Sequence, residues 1–474
     1  MENLDFLFHP RSVAVVGSLR DINSPAVRYL RQYRECGFGG KLYAVSRRAT
    51  EHVAGVCPCY LSLKEIPEPV DYVIACIPVS ALMELVGDCV DTGVKVVHIF
   101  TGRLGETFDP KLQNLEQEIV QRLRASGIRV IGPNCMGVYC PESGMTFRFE
   151  FPREGGPVAF LSQSAGNAGH LVSLGVGRGL RFSKIISYGN AVDLNETDFL
   201  EYLTDDPQTK VIAMYVEGVR DGRRFLKALM KATAAKPVVV MKGGRFEAGA
   251  RAAASHTASL AGSRVGWDVA LQQAGAIRVE SVEEMADLLL TLVFLQAPRG
   301  RKAALLCGGG GDTVSSADQC ETAGLEVPPL PLQVREEARK LLPEFGSIVN
   351  NPVDYSSLGD QTAFDRTCEL LVSHPDVDLV ICDTQVAWRL GYPRGLDRIR
   401  SMVDIFIEIS KAFCKPTVVA IYLPDSVDAP TWIGLLEQQA RCWRAGLPVY
   451  PSLERAIKAV ARFVHYYQGV RGVE

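Results

Sequence analysis

Short runs of apolar, often β-branched residues alternate with longer amphipathic segments from one end of the chain to the other. Such runs are typical of buried parallel strands, and the segments between them are typical of crossover helices. The alternation therefore predicts an α/β protein built from doubly wound parallel sheets. The first set of elements is predicted to have strands at 12–16, 41–45, 72–76, 95–99 and 129–131, with helices at 81–91 and 112–124.

Two further sets of strands and helices follow the first one. A loop at 141–156, rich in glycine, proline and charge, precedes the second set, and the polar stretch 296–301 is the predicted linker to the third. The remaining predicted strands lie at 158–161, 183–187, 211–216, 237–241, 276–279, 303–307, 377–382 and 417–421, and the last helices of the two sets open at Ser281 and Leu453. We therefore predict three domains, with the bounds 1–150, 151–297 and 298–474.

The composition excludes several classes of function. Of the 474 residues, 47% are apolar and 22% are charged, and the net charge is -3. No basic run with interleaved aromatic residues indicates a nucleic-acid surface. No segment reaches the roughly 18 uncharged apolar residues of a membrane span, and the N-terminus has no stretch typical of a signal peptide. We expect a cytoplasmic protein that binds neither nucleic acid nor membrane.

The thirteen cysteines lie mostly inside apolar segments, where reduced thiols act as small core residues. A disulfide framework is therefore not expected. Cys57 and Cys59, with His52 nearby, would invite a metal site, but no second pair follows at the spacing of a zinc site. We predict that this chain binds no metal.

The first strand of the chain ends in Gly17 and Ser18. One glycine stands where the dinucleotide fingerprint needs three, so an NAD-dependent dehydrogenase is not predicted. The free N–H groups and the positive dipole end of the next helix still suit a phosphate-bearing adenine ligand. A plain tight turn is the alternative interpretation.

The second and third sets share a pattern, because each begins with an apolar strand that runs into a small-residue turn and a helix. In the second set the turn has Ser162, Gln163 and Ser164, whose hydroxyls and backbone donors predict an anion site. A serine-hydrolase elbow is the rejected alternative, since it needs a glycine two residues before the serine.

The third set opens with a run of four glycines that includes Gly308, Gly309 and Gly310. Glycines let a ligand approach the backbone closely, and the absence of a lysine in Walker A register excludes an ATP-binding P-loop. Asp312 would oppose an anion there unless it caps the helix. A flexible turn with a capping aspartate is the alternative.

His256 lies in the run 249–262, where almost every residue is small. An imidazole accepts and releases a phosphoryl group near neutral pH without a metal. A lone loop histidine is more often structural, but Glu217 ends a predicted strand, where α/β sheets place their sites. A carboxylate bonded to one ring nitrogen fixes the tautomer and leaves the other nitrogen to attack. We predict that Glu217 has this role.

On these residues the chain resembles the α-type subunits of NDP-forming acyl-CoA synthetases, relatives of succinyl-CoA ligase. The most specific match is the sequence 242–245 followed by 255–262, which is similar to the family's phosphohistidine loop. Supporting matches lie at 132–135, 162–164, 187–190, 275–277 and 351–354. The resemblance covers nearly the whole length and implies a Rossmann-like CoA-binding domain followed by two flavodoxin-like ligase domains.

The resemblance also implies a reaction. Phosphate displaces CoA from an acyl-CoA, the acyl phosphate phosphorylates His256, and phosphohistidine with ADP gives ATP and the free acid. Two helix N-termini, here after Ser164 and Gly311, hold the phosphohistidine. An ATP-grasp β-type subunit, with which this chain is expected to form a heterotetramer, supplies the site for ADP and Mg. The CoA-binding residues implied are Gly17, Ser18, Ser46, Arg47, Ile77, Pro78 and Asn134.

The chain departs from the family's pattern at three turns. Members usually have Gly-Ala-Ser at the first turn, Asn-Pro after the second strand and an aromatic residue near the glycine that follows the fourth strand. This chain has Gly-Ser-Leu at 17–19, Ser-Arg at 46–47 and Thr-Gly-Arg at 101–103. Asp312 also replaces a neutral residue. These changes leave an alternative: a catalytically inactive or regulatory CoA-binding protein of the same fold.

Arg103 follows Gly102 after the fourth strand, where family members usually have an aromatic residue nearby, and its position alone motivates a hypothesis that it recognises an acidic acyl group. A guanidinium pairs readily with a carboxylate. Replacement by alanine is then expected to change the preference between acidic and neutral acyl groups in a turnover assay. An unchanged preference would exclude this role.

Overall fold

The computed structural model describes residues 4–47, 55–107, 109–257, 264–341, 350–355 and 361–471. Their strands form three sheets. The chain divides into two compact units, one of Met1–Ser173 with Arg181–Met285 and the other of Leu174–Leu180 with Ala286–Glu474. The predicted α/β class with parallel sheets is confirmed. The three domain bounds stay predictions.

The first sheet lies in the first unit and has six parallel strands in the described residues, in the order β3-β2-β1-β4-β5-β6. This order reverses between β1 and β4, which opens a crevice at the carboxyl ends of those two strands. The elements are α1 (Asp5–Phe8), β1 (Ser12–Gly17), α2 (Pro25–Glu35), β2 (Lys41–Val45), β3 (Cys59–Tyr60), β4 (Tyr72–Cys76), α3 (Leu82–Thr92), β5 (Val96–Ile99), α4 (Pro110–Ala125) and β6 (Arg129–Ile131).

The second sheet belongs to the same unit, and its described strands have the order β12-β11-β10-β8-β9-β7. All neighbours are parallel except β7, which pairs antiparallel with β9. The order reverses between β8 and β10. The elements are β7 (Gly137–Tyr139), β8 (Gly155–Ser162), α5 (Ala165–Val176), β9 (Phe182–Ser187), α6 (Glu196–Asp205), β10 (Val211–Val216), α7 (Gly222–Ala235), β11 (Val238–Lys242), α8 (Glu247–Thr257), α9 (Arg264–Gln273), β12 (Ile277–Val279) and α10 (Val282–Phe294).

The third sheet forms the core of the second unit, with the described order β14-β13-β15-β16-β17 and parallel pairing throughout. Its order reverses between β13 and β15. The elements are β13 (Ala303–Cys307), α11 (Gly310–Thr322), α12 (Leu332–Leu341), β14 (Val353–Asp354), α13 (Gln361–Ser373), β15 (Leu379–Asp383), α14 (Val386–Leu390), α15 (Gly395–Phe413), β16 (Thr417–Ala420), α16 (Ala429–Arg444), β17 (Val449–Tyr450) and α17 (Leu453–Arg471).

Most predicted strands agree with the structure to within one or two residues, because long apolar runs are buried on both faces of parallel sheets. The described residues also contain short strands that were not predicted. The strands β3, β14 and β17 have two residues each, and β7 has three, which is too short for a periodic signal. The predicted loop 141–156 is in part regular, since Pro141–Ser143 form a 3-10 turn and β8 already begins at Gly155.

Across the described ranges, none of the helices combines the length and the apolar character that crossing a lipid bilayer would require.

Asp71 joins three strands of the first sheet at their amino ends. Its carboxylate accepts hydrogen bonds from the backbone N–H and Nε of Arg11, at 2.9 and 3.1 Å, and lies 3.0 Å from Nζ of Lys95. Arg11, Asp71 and Lys95 directly precede β1, β4 and β5. Burial by itself would raise the pKa of Asp71, but the bonds from Arg11 and Lys95 outweigh it and lower the pKa to about 2.

We expect Asp71→Asn to destabilise the first unit at pH 7 by about 2 kcal/mol, because the amide loses the charged hydrogen bonds to Arg11 and Lys95. The folded pKa lies below the ordinary value of 3.8. The carboxylate therefore contributes its full stability above that value and loses it as the pH falls through about 2. Thermal unfolding at several pH values measures this difference, with the exposed Glu118→Gln as control. A difference that stays constant between pH 5 and pH 2 would contradict the assignment.

Candidate active site

Six of the seven predicted CoA-binding residues line one cavity of about 490 Å³ in the crevice of the first sheet. They follow the carboxyl ends of β1, β2 and β4, where doubly wound sheets bind nucleotides. The turn after β1 requires a glycine, because a Cβ atom on Gly17 would lie 2.8 Å from both Ala26 Cβ and Cys76 O. The six residues brought together are Gly17, Ser18, Ser46, Arg47, Ile77 and Pro78.

Asn134, the seventh predicted residue, does not line this cavity. Its φ is +59°, and its backbone N–H donates to Thr101 O at 3.1 Å. Its side chain lies against Gly102, since a Cβ atom there would be 2.9 Å from Asn134 Oδ1. Gly189 approaches from the second sheet, and a Cβ atom on it would lie 2.5 Å from Asn134 O. Asn134 therefore belongs to the contact between the first two sheets.

Two carboxylates that the sequence did not single out lie beside this contact. The Asn190 amide donates to Glu106 at 2.7 Å and to Glu116 at 3.4 Å. Burial raises the pKa of Glu116, and Glu106 adds to the rise. Glu116 lies on a predicted helix and Glu106 in the loop before it, and glutamates at such places give no sequence signal, because most of them face solvent. Arg103 lies in the turn that precedes Glu106. It has a φ of +65° and an exposed side chain, and its backbone N–H donates to Glu106.

The predicted phosphate-binding turn of the second sheet, residues 162–164, is held by its own hydroxyls. Ser162 Oγ donates to Ser164 O at 2.6 Å and accepts from Ser164 N at 3.2 Å. Ser164 Oγ accepts from Asn167 N at 3.3 Å and so caps the start of α5. The turn therefore directs the N-terminus of a twelve-residue helix towards the crevice of the second sheet.

Glu217 follows β10 on the other side of that crevice and is 5% exposed. Gln163 links the two sides of the crevice by hydrogen bonds. Its side-chain oxygen accepts from the backbone N–H group of Glu217 and, at 3.2 Å, from that of Gly218. The Glu217 carboxylate accepts from the Tyr215 hydroxyl at 3.1 Å. The structure thus brings Gln163, one of the predicted phosphate ligands, together with the predicted carboxylate.

Two residues of the stretch 242–245, Lys242 and Gly243, have a structural role beside Glu217. Lys242 Nζ donates to Glu217 O at 2.7 Å and lies 5.2 Å from the centroid of the Trp267 ring. Burial lowers the pKa of Lys242 to about 8, although Glu217 opposes the shift. Gly243 leaves room for Tyr215, whose hydroxyl would lie 2.5 Å from a Cβ atom at that position.

His256 falls in the last turn of α8, but its side chain and residues 258–263 lie outside the described part of the structure. The backbone of α8 is described, and its Cα atoms approach within 8 Å of those of the 3-10 turn Gly105–Thr107. The helix that bears His256 therefore packs against the turn that holds Glu106. The pairing of His256 with Glu217 stays a prediction.

The glycine turn of the third sheet, residues 308–310, leads into α11, and its Gly309 has a φ of +86°. Gly309 is the residue before the helix, and no side chain caps it. Asp312 is therefore not the cap that the alternative interpretation required. Asp354 holds the turn instead, since its carboxylate accepts from Gly309 N at 2.9 Å. Asn351 accepts from Leu305 N at 2.9 Å and so anchors the segment before β14.

Comparison with known proteins gives matches to a CoA-binding domain and to a ligase domain. Residues 11–141 match the family described as CoA binding domain, and residues 155–292 match the succinyl-CoA ligase like flavodoxin domain. The α subunit of acetate–CoA ligase [ADP-forming] II from Pyrococcus furiosus is 38% identical over 99% of each chain. Acetate–CoA ligase [ADP-forming] I from Archaeoglobus fulgidus is 35% identical over 80% of this chain, but only 54% of its own length is covered.

Among solved structures, acetyl-coenzyme A synthetase 1 from Ca. Korarchaeum cryptofilum in complex with phosphate and ADP has a TM-score of 0.83 to this chain. It is 29% identical and covers 100% of this chain and 98% of its own. The similarity therefore extends over all three sheets.

Proposed function

Because the chain belongs to the family of ADP-forming acetate–CoA ligase α subunits, we propose that it acts as the α-type subunit of an NDP-forming acyl-CoA synthetase. Such an enzyme is an acid–thiol ligase that interconverts acyl-CoA, phosphate and ADP with a carboxylic acid, CoA and ATP. The observation that carries the proposal is the packing of α8, the helix of His256, against the turn 105–107 beside Asn134. A histidine there can meet an acyl phosphate at the end of a bound acyl-CoA.

CoA is proposed to bind in the cavity lined by Gly17, Ser46 and Pro78, with the thioester directed towards the turn 101–107. Phosphate attacks the acyl carbonyl, and CoA leaves as the thiolate, which takes up a proton. A ring nitrogen of His256 then attacks the phosphorus, and the P–O bond to the carboxylate breaks. The N-terminus of α5, after Ser162–Ser164, stabilises the charge on the phosphoryl oxygens.

Glu217 is proposed to accept the hydrogen bond of the other ring nitrogen of His256. Tyr215 and Lys242 contact the carboxylate and the backbone of Glu217 and so hold its position. A buried carboxylate stabilises the positive charge that forms on the imidazole during transfer. Glu217 thus orients His256 and increases its nucleophilicity.

The partner is proposed to be an ATP-grasp β-type subunit in a heterotetramer. The relative from Pyrococcus furiosus is named a subunit, and the one from Archaeoglobus fulgidus continues well beyond the region matched by this chain. ADP and Mg²⁺ then bind to the partner, and this chain is proposed to bind no metal. We place the enzyme in the cytoplasm, where acyl-CoA and ADP are available.

We expect acid-labile phosphate to form on His256 when the enzyme with its partner is incubated with acetyl-CoA and labelled phosphate. His256→Asn removes the nucleophile, so labelling is expected to fall to background and turnover to fall at least a thousandfold. His465→Asn, which changes an exposed histidine of α17, is the matched control. Wild-type enzyme that turns over without labelling, or that neither labels nor turns over, would overturn the proposed function; the latter outcome supports the non-catalytic CoA-binding alternative.

Glu217→Gln keeps the shape of the side chain and removes its charge. We expect the rate of His256 phosphorylation to fall by about 10- to 100-fold, because an amide stabilises the imidazolium less than a carboxylate does. The half-saturating concentration of CoA should not change, since Glu217 is not among the residues that line the nucleotide cavity. Rapid-quench labelling measures the rate. A variant that labels as fast as the wild type would remove Glu217 from the mechanism.

A further inference from the structure

The stretch 187–190 supports the family resemblance but has no step in the proposed mechanism. Its last residue, Asn190, is 6% exposed and lies in the loop after β9, beside the contact between the first two sheets. The backbone fixes its position, because Asn190 N–H donates to Pro133 O at 3.0 Å and the Arg220 guanidinium donates to Asn190 O at 3.2 Å. The side chain of Asn190 therefore starts from a fixed point.

The Asn190 amide has one favourable orientation. Its nitrogen donates to the carboxylates of Glu106, at 2.7 Å, and Glu116, at 3.4 Å. The opposite orientation would place the amide oxygen against both carboxylates, which accept hydrogen bonds and donate none when ionised. The oxygen Oδ1 therefore points away from them, and it is buried without a hydrogen-bond partner among the described residues. A buried acceptor without a donor is costly, so a ligand that supplies a donor is favoured.

A continuous line of contacts joins Asn190 to the cavity of the first sheet. Ile77 lines that cavity, and its carbonyl accepts a hydrogen bond from the Thr101 hydroxyl. The next residue, Gly102, would place a Cβ atom 3.2 Å from Glu106 Oε1. Glu106 accepts from Asn190 through its other oxygen. Asn190 therefore lies beyond the cavity, beside the turn towards which the thioester of a bound acyl-CoA is proposed to be directed.

The surroundings of Asn190 limit the chemistry of the donor. The carboxylates of Glu106 and Glu116 would repel a phosphate group, which disfavours a phosphate O–H as the source. An acyl-CoA carries a neutral amide N–H close to its thioester, separated from the sulfur by an ethylene link. Every acyl-CoA has this amide, whereas only some acyl groups contain a donor. The slender pantetheine arm that carries the amide is also the part of CoA that can reach a buried acceptor.

We propose that Asn190 Oδ1 accepts a hydrogen bond from the amide N–H of acyl-CoA that lies nearest the thioester. This inference rests on the proposed function and adds one substrate-binding residue to it. The bond fixes the last part of the pantetheine arm, and with it the carbonyl carbon that phosphate attacks. Glu106 and Glu116 hold the Asn190 amide in the orientation that presents its oxygen. The contact is non-covalent and moves no proton.

The test compares acetyl-CoA with an analogue in which oxygen replaces the nitrogen of that amide. The ester oxygen has no hydrogen, and its lone pairs would face those of Asn190 Oδ1. Each substrate is given with labelled phosphate to the enzyme with its partner, and the second-order rate constant for labelling of His256 is measured. A second analogue, with the same exchange at the other amide of the pantetheine arm, is the substrate control.

Two variants complete the comparison. Asn190→Ala removes the acceptor, and Asn114→Ala, which changes an exposed asparagine of α4, is the matched control. We expect the first analogue to lower the rate constant about tenfold or more in the wild type and in Asn114→Ala, but by less than about twofold in Asn190→Ala. The second analogue should affect all three enzymes equally. If the melting temperature shows that Asn190→Ala does not fold, Asn190→Ser takes its place, since its shorter side chain also removes the amide oxygen.

Equal rate constants for acetyl-CoA and the first analogue in the wild type overturn this inference without any variant. A variant at position 190 that discriminates between the two substrates as strongly as the wild type also overturns it. In both cases the wild type still labels His256 from acetyl-CoA, so the proposed function is not affected. A wild-type enzyme that forms no phosphohistidine from acetyl-CoA overturns the proposed function and the inference with it.

Discussion

The reversal of strand order in each parallel sheet is the constraint on which the rest of this structure depends. Right-handed crossovers place successive helices on opposite faces once the order reverses, so the two adjacent loops separate and leave a crevice. The crevices lie between β1 and β4, between β8 and β10, and between β13 and β15. In each one, a helix N-terminus follows the first strand. One geometric rule thus gives the chain three places suited to phosphate groups.

The residues after the first strand decide what each crevice can hold. Gly17 permits close packing of β1 against α2 and leaves the loop open to a nucleotide. The hydroxyls of Ser162 and Ser164 form hydrogen bonds within the turn and at the start of α5, so the remaining backbone N–H groups of that helix are the donors open to a ligand. Gly308 has no side chain, and the amide of Gln385 takes the space. The three crevices therefore share one arrangement of strands and helices, but different side chains fill the turn after the first strand in each.

Sequence reasoning predicted the fold well because parallel strands buried on both faces are long apolar runs, as in β10 and β13. It missed β14, whose two residues leave no period to detect. For the site, residues adjacent to strand ends were predictable, and Gly17, Ser46 and Pro78 line one cavity as expected. Glu106 was not predictable, because its place beside Asn190 depends on a contact with a residue far away in the sequence. Asn134 was assigned to CoA by similarity alone, and its packing against Gly102 gives it a different neighbourhood.

The difference between the second and third crevices has a simple electrostatic reason within the proposed mechanism. Before transfer, His256 is a neutral imidazole that gains positive charge as it attacks, so a carboxylate such as Glu217 is favourable beside it. In the third crevice, Gln385 lies three residues beyond Cys382, as Glu217 lies three residues beyond Met214 in the matching register. Its amide has no charge with which to stabilise a positive imidazole. The charge that the proposed mechanism requires beside its histidine is therefore present in the second crevice and missing at the equivalent position of the third.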